Sequence, residues 1–486
     1  MKFFLLFVFT TGASIMAVEM AAFKAIVPYF GGGSIFVWAI IIFFAMVALS
    51  LGYYLGGMMA DKFPKEEVIF STVALAGGVI AVIPLAQRFF LITSDGRFVS
   101  NSFGGIVLLF SLPVFILGMT SPFLIRILNK KVETTGSATG TIYSFSTAGS
   151  IVGIYASSFL MLPLLGTRTT LFILSFILIA ISVIGWIRKK GISLGSLQFI
   201  FLLSLSIVFY SFSFVEKEGI LFEKESFYGL VQVKESEGHG LVLDINMSGR
   251  WSVYHPERVL TDMYFDYFTP LYLLLEEKEE IDVLIIGHAG GVISRQYSHY
   301  FENVRIDGLE IDPWVSYAAG KFFDIDKQKG LNVINEDGRL FLNRTDKKYD
   351  LIISDAYIGA LYIPFHLATK EFFEIAKESL KEGGIFAQHV LGQKPEERVS
   401  RCLSQTIRSV FPNAYFVKTT DYENILLASK EKLEISTLKE KGNYQELDHL
   451  KERISDNFLE IEEGKCILTD NKAPTEMLRE LDFSSA

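Results

Sequence analysis

Seven stretches of the chain stay apolar for about twenty residues each: roughly 3–28, 34–59, 67–87, 104–127, 141–164, 168–187 and 195–214. A helix of about 20 apolar residues is what a bilayer core requires, so residues 1–215 read as a transmembrane domain of about seven helices. A buried helix in a soluble protein would show a polar face at helical period, whereas Ile35 to Leu51 and Leu171 to Trp186 are apolar all round. Lys2 and the run behind it could open a secretory leader, but the run is long, contains Glu19 and leads into further spans, so it is read as a span. Small residues recur inside the runs, at Gly52, Gly56 and Gly57 and at Ser146, Gly149 and Gly153. Close packing of backbones is their plainer meaning. Glu19 is a carboxylate inside a span, where it needs a partner, a polar cavity or a proton.

Between Ser211 and Lys224 the pattern changes, and alternating segments begin. Phe227 to Glu235 and Gly240 to Ile245 alternate around Gly238-His239-Gly240, which predicts a small β-rich subdomain over 219–270. From 271 to 430 short apolar runs at Ile281, Arg305, Leu331, Asp350 and Gly384 alternate with helical stretches. That rhythm predicts a Rossmann-like, doubly wound parallel sheet, whose ligands bind beyond the carboxyl ends of the strands. Residues 431–486 are charged and helical in pattern and read as a C-terminal surface extension, with Asp470 to Glu476 positioned to dock on the domain.

Half of the 486 residues are hydrophobic, which agrees with one part in lipid and one in water. The net charge of −9 leaves no basic surface for nucleic acid. Lys62 and Lys65, then Arg126, Lys130 and Lys131, then Arg188, Lys189 and Lys190 fall in the second, fourth and sixth connections, against scattered Lys24, Arg88, Arg97 and Arg168 in the others. The positive-inside rule then puts the N-terminus outside and, with an odd number of spans, the C-terminal domain in the cytoplasm of a cell whose inner membrane holds the chain. Cys402 and Cys466 have neither CxxC spacing nor a histidine cluster nearby, so no disulfide framework and no metal are expected.

Candidate chemistry sits at successive strand ends. Gly287-His288-Ala289-Gly290-Gly291 follows the first strand, where glycines let backbone approach a ligand at a helix N-terminus. Glu310 ends the second strand about 20 residues on, placed to accept from ribose hydroxyls. Asp337-Gly338 follows the third, placed to accept from an adenine amino group, and Asp355 follows the fourth, facing the reacting centre. Any one of these aspartates is more often a turn former or helix cap. Four features in strand order predict a nucleoside site.

The segments Val283-Leu-Ile-Ile-Gly-His-Ala-Gly-Gly, Leu309-Glu-Ile-Asp-Pro, Glu336-Asp-Gly-Arg, Leu351-Ile-Ile-Ser-Asp and Lys381-Glu-Gly-Gly-Ile-Phe together resemble the spermidine synthase family. Leu468-Thr-Asp-Asn-Lys-Ala-Pro-Thr-Glu and Asp61 after Gly56-Gly57 resemble its bacterial group with a fused membrane domain. The resemblance implies a methyltransferase-type sheet and transfer of an aminopropyl group from decarboxylated S-adenosylmethionine to a polyamine or related small amine. It implies Asp355 as the base, Glu310 as ribose ligand, Asp337 as adenine ligand, and Gly287 and Gly291 around the cofactor with Gly290 and Gly338 beside them, while His288 replaces a glycine of that turn and is a candidate either to contact the ligand or to cap the following helix. A homodimer is compatible with it.

Three departures bear on the substrate. Ala289 stands where the family has an aspartate for the aminopropyl amine, Ile358 where it has a second aspartate after the base, and Asp262-Met263 where it has Tyr-His. Tyr254, Tyr264, Asp266, Tyr357 and Tyr362 are the candidates to line an amine pocket in compensation. Loss of the acid at Ala289 keeps open a methyltransferase using intact S-adenosylmethionine. A transporter or receptor with a non-catalytic nucleoside-binding domain remains the non-enzymatic alternative, resting on Glu19 and the glycine-rich spans.

Overall fold

The structure is a computed structural model that describes residues 1–26, 35–93, 99–128, 135–191, 205–208, 210, 219–246, 249, 252–358 and 361–483. It divides into two compact units, Met1–Glu218 and Gly219–Ala486.

The first unit is helical: α1 (Lys2–Ile26), α2 (Ile35–Lys62), α3 (Glu66–Thr93), α4 (Val99–Gly118), α5 (Thr120–Leu128), α6 (Thr135–Ala156) and α7 (Leu162–Lys190). Among the described residues five continuous helical stretches are long and apolar enough to cross a membrane, the last running from Thr135 to Lys190. That stretch, 56 residues long, is more than twice what one crossing needs. It is broken at Gly166, whose φ of 80° and ψ of 168° are not helical, between the apolar runs 141–164 and 168–187. The seventh run, 195–214, lies outside the described residues except for 205–208 and 210.

Gly149 and Gly153 explain how α1 and α6 meet, because a Cβ at either would stand 2.0 Å from Phe9 O or 2.2 Å from Ala13 O. Only a residue without a side chain lets the backbones come so near. Ion pairs gather the basic connections at one end of the bundle: Arg126 with Asp61, Lys189 with Glu66 and Lys190 with Glu67. Glu19 is buried and lines a small, mainly apolar hollow with Ile41, Val107, Phe110 and Ser111.

The second unit opens with a four-stranded antiparallel sheet, β1 (Ile220–Glu225), β2 (Leu230–Ser236), β3 (Gly240–Ile245) and β4 (Ser252–Tyr254), in sequential order. The main sheet has eight strands: β5 (Ile281–Ile286), β6 (Val304–Leu309), β7 (Leu331–Ile334), β8 (Tyr349–Ser354), β9 (Leu380–Leu391), β10 (Asn413–Lys418), β11 (Glu423–Ser429) and β12 (Phe458–Glu460). Their order is β12-β10-β11-β9-β8-β5-β6-β7. Strands β7, β6, β5, β8 and β9 are parallel neighbours, and β11, β10 and β12 extend the sheet antiparallel. The parallel order reverses between β5 and β8, which makes their carboxyl ends the place for a ligand. Both faces are covered, so β5 and β8 are buried at every position.

The helices of this unit are α8 (Val292–Tyr300), α9 (Pro313–Phe322), α10 (Gly338–Arg344), α11 (Lys370–Glu378), α12 (Arg398–Val410), α13 (Asp448–Asp456) and α14 (Thr475–Phe483). The segment beyond 430 is built into the fold: β12 pairs with β10, and Asp470 takes a bidentate bond from Arg339 at 2.6 and 2.7 Å. Cys402 and Cys466 form a disulfide, contrary to the expectation that the two cysteines build no disulfide framework. Spacing could not reveal it, since the chain, over a sequence separation of 64, returns to α12 through three strands and a helix.

Candidate functional site

A cavity of about 760 Å³ opens at the carboxyl ends of β5, β6, β7, β8 and β9. The turn after β5 makes its floor. Gly287 and His288 donate their N–H groups to Leu309 O at 3.0 and 2.9 Å, tying β5 to β6. Gly287 has φ 88°, and a Cβ there would lie 2.6 Å from Asp355 O, so the turn and the end of β8 are in direct backbone contact.

Ala289 takes a left-handed φ of 47°. Its N–H then donates to Glu310 Oε2 at 3.0 Å, while Asp312 N donates to Oε1 at 3.0 Å. Glu310 is buried at the cavity wall, and desolvation raises its carboxyl to about 7 against the opposing pull of these backbone bonds. Asp337 caps α10, accepting from Arg339 N and Leu340 N at 3.0 Å each, and its other oxygen is 3.0 Å from His366 Nε2. The His366 contact, with those backbone bonds, holds it below the usual carboxylate range. The cap and the cavity wall are the same side chain.

Asp355 lines the cavity at the end of β8 with its side chain 6% exposed. Tyr264 donates its hydroxyl to Asp355 Oδ2 at 3.1 Å, and His389 Nδ1 lies 2.9 Å from Oδ1. The Tyr264 and His389 rings stack at 4.1 Å between centroids and 11° between planes. Burial, then the neighbouring Asp355 charge, pushes the Tyr264 hydroxyl well above its ordinary range, so it stays a donor. Tyr357 also lines the cavity, donating to His389 O at 3.2 Å.

Of the residues singled out from sequence, Gly287, Glu310, Asp337, Gly338, Asp355, Tyr264 and Tyr357 line this one cavity. His288 does not. Its ring turns into the space left by Gly308, where a Cβ would meet it at 2.5 Å, and Nε2 pairs with Ser294 Oγ at 2.8 Å. Burial lowers it to about 4, which keeps it neutral. Gly290 and Gly291 shape the turn from behind, Gly290 N donating to Ser252 Oγ and Gly291 preceding α8 at φ 74°.

Three of the amine-pocket candidates also lie elsewhere. Tyr254 donates to Asp324 Oδ2 at 2.7 Å beneath the Arg295 guanidinium. Asp266 is spent locally, accepting from Thr261 N and Oγ1, Asp262 N and Gln296 Nε2. Tyr362 borders a separate, smaller hollow with Arg479. Sequence reasoning missed Asp312, His366, His389 and Glu423, all of which line the cavity. The strand parity that ends β9 at the cavity gave a signal for His389. Glu423 carried none, because it comes from an antiparallel strand that no βαβ pattern announces.

Residues 271–430 match the spermine/spermidine synthase domain family. The chain is 30% identical over 281 residues to a probable polyamine aminopropyl transferase of Bifidobacterium longum, covering 53% of this chain and 62% of that one. It is 33% identical over 161 residues to a polyamine aminopropyltransferase of Vibrio vulnificus, covering 32% and 52%. The chain therefore spans between about half and two thirds of the length of these two relatives. Polyamine aminopropyltransferase 2 of Aquifex aeolicus aligns at 22% identity over 466 residues, 90% of each chain, and so takes in the apolar half as well. Among solved structures, a probable spermidine synthase from Corynebacterium glutamicum superposes with a TM-score of 0.42 and 15% identity, covering 55% of this chain and 94% of that one.

Proposed function

We propose, for a chain whose residues 271–430 match the spermine/spermidine synthase domain family, that the cavity carries out aminopropyl transfer from decarboxylated S-adenosylmethionine to an amine, anchored to a membrane by the helical unit. The observation that carries this reading is the sign of the lining. Glu310, Asp312, Glu336, Asp337, Asp355 and Glu423 face the cavity, and no Lys or Arg does so among the described residues. A decarboxylated sulfonium donor and an ammonium acceptor are both purely cationic at their reacting ends. An intact donor brings a carboxylate that this lining would repel, which argues against the methyltransferase alternative.

In this reading Glu310 accepts from the ribose hydroxyls and Asp337 from the adenine amino group. Asp355 takes a proton from the acceptor ammonium. The freed nitrogen lone pair attacks the carbon bound to sulfur, a C–N bond forms, the C–S bond breaks, and its electron pair stays on sulfur as the thioether. Glu423 supplies negative charge for an ammonium end in place of the acids absent at Ala289 and Ile358. Burial raises its carboxyl, and a bound cation would draw it back to the ionised form.

The test is turnover by purified full-length protein with each sulfonium donor. Thioether release is expected with the decarboxylated donor and a diamine or polyamine, and release with the intact donor alone would overturn the reading. Asp355→Asn should lower kcat by about 10²–10⁴-fold, the usual worth of a positioned base.

A further inference from the structure

We propose that His389 is a second proton-holding group of this site, acting through Asp355, so that the base is an Asp355–His389 dyad and not a lone carboxylate. This rests on the reading of Asp355 as the group that receives the acceptor's proton.

The geometry is unusual for a core histidine. His389 is buried, Nδ1 lies 2.9 Å from Asp355 Oδ1 but off the line of a hydrogen bond, and Nε2 has no hydrogen-bond partner either. A buried ring with both nitrogens unsatisfied is costly to leave so, and such groups concentrate where chemistry needs them. His288, equally buried but away from the cavity, has only one nitrogen without a partner, since Nε2 is bonded to Ser294. Tyr264 stacks on the His389 ring and also donates to Asp355, so one side chain fixes both members of the pair.

The ring is also faced by Tyr264 before β5, Tyr357 after β8 and Glu423 at the start of β11, with Arg479 of α14 donating to Leu391 O nearby. Tyr264 and Tyr357 stay neutral donors, since burial pushes both hydroxyls up. Glu423 and Asp355 are the acidic side chains beside the ring.

Proton and electron balance is simple. The ammonium proton passes to Asp355 and on to His389, leaving aspartate beside imidazolium while the free amine attacks. The product is a secondary ammonium that keeps its own protons, and one proton leaves the dyad for solvent in each turnover.

The experiment uses the full-length protein in detergent. His389→Asn can still donate toward Asp355 but cannot hold a proton. It should lower kcat by about 10²-fold and move the rising limb of the pH–rate profile down by about one unit or more, while affinity for the adenosyl thioether stays within about twofold. Added imidazole should restore part of the activity of His389→Ala, which a merely structural role would not allow. Wild-type kcat and an unmoved pH midpoint in His389→Asn would overturn the dyad. If the wild type transfers no aminopropyl group at all, the functional reading falls by itself, and the dyad is judged by carbon-13 histidine labelling. Its resonance should titrate at a different pH in Asp355→Asn, and an identical midpoint in both proteins would overturn it.

Discussion

Glu310 joins two properties that pull against each other, since the role proposed for it, accepting from ribose hydroxyls, needs the carboxylate, yet burial raises it to about 7. Ligand hydroxyls would favour the ionised form, so binding releases a proton wherever the empty site holds one. Affinity for an adenosyl thioether should therefore rise with pH by up to about tenfold per unit below pH 7 and level off above it. Calorimetry in buffers of different ionisation enthalpy would show that proton leaving. For stability the sign is opposite: a carboxyl raised in the folded state favours folding most below its unfolded value, and that contribution is lost as pH climbs through about 7. Gly287 is the other residue whose chemistry is set by its surroundings. Gly287→Ala puts a Cβ 2.6 Å from Asp355 O at a φ of 88°, so it should displace the base and cut kcat by about 10²-fold, with donor affinity less affected. The three acids Glu310, Asp337 and Asp355 were legible because parallel strands end on one side of a sheet, so a polar residue just past each apolar run must meet the others. His288 misled because a histidine in a glycine turn has two faces, and the choice depends on the missing side chain at Gly308, twenty residues away.

Elements show the same division between local and distant causes. Strands β5, β6, β7, β8 and β9 follow from short apolar runs separated by helices, and the small sheet β1–β4 from alternation around a glycine hairpin. Strand β12 was hidden in a charged stretch, because three residues at a sheet edge need only backbone groups to pair. What holds that tail is Asp470, which binds Arg339 through both oxygens and accepts from Thr369 Oγ1 at 2.8 Å. Arg339 directly follows the Asp337-Gly338 pair that opens α10, so the tail braces the proposed adenine side of the cavity from outside. Asp470 is partly exposed, which limits the worth of the pair. Asp470→Ala should cost about 1–2 kcal/mol of stability. Thermal unfolding of the full chain would read this as a lower midpoint, and weaker thioether binding at unchanged kcat would show that the brace reaches the site.

At the scale of the whole molecule, two observations make opposite demands on the side of the membrane that the second unit occupies. The basic connections gather at one end of the helical unit through the Asp61, Glu66 and Glu67 ion pairs. The positive-inside rule, applied to the seven apolar runs of the sequence, carries the expectation that this end is cytoplasmic and that the second unit lies in the same compartment. The Cys402–Cys466 disulfide belongs by contrast to an oxidising compartment, since cytoplasmic thiols are kept reduced. Closing a loop of 64 residues would contribute about 4 kcal/mol by the chain-entropy estimate, so its loss in a reducing compartment would have to be made good by packing. The segment around Cys466 has that packing: its N–H donates to Gln405 Oε1, Leu468 N donates to Thr406 Oγ1, and Leu468 is buried in the core beside Cys402. The cytoplasmic placement therefore predicts that both cysteines are free thiols in living cells. A membrane-permeant alkylating reagent added before lysis should label both after denaturation, an impermeant one neither, and oxidation after lysis should then join any pair left unlabelled. The double Cys402→Ser, Cys466→Ser variant should keep its activity in cells. A bond already formed before lysis would instead put the second unit outside, away from any cytosolic nucleoside, and would overturn the orientation read from the loops.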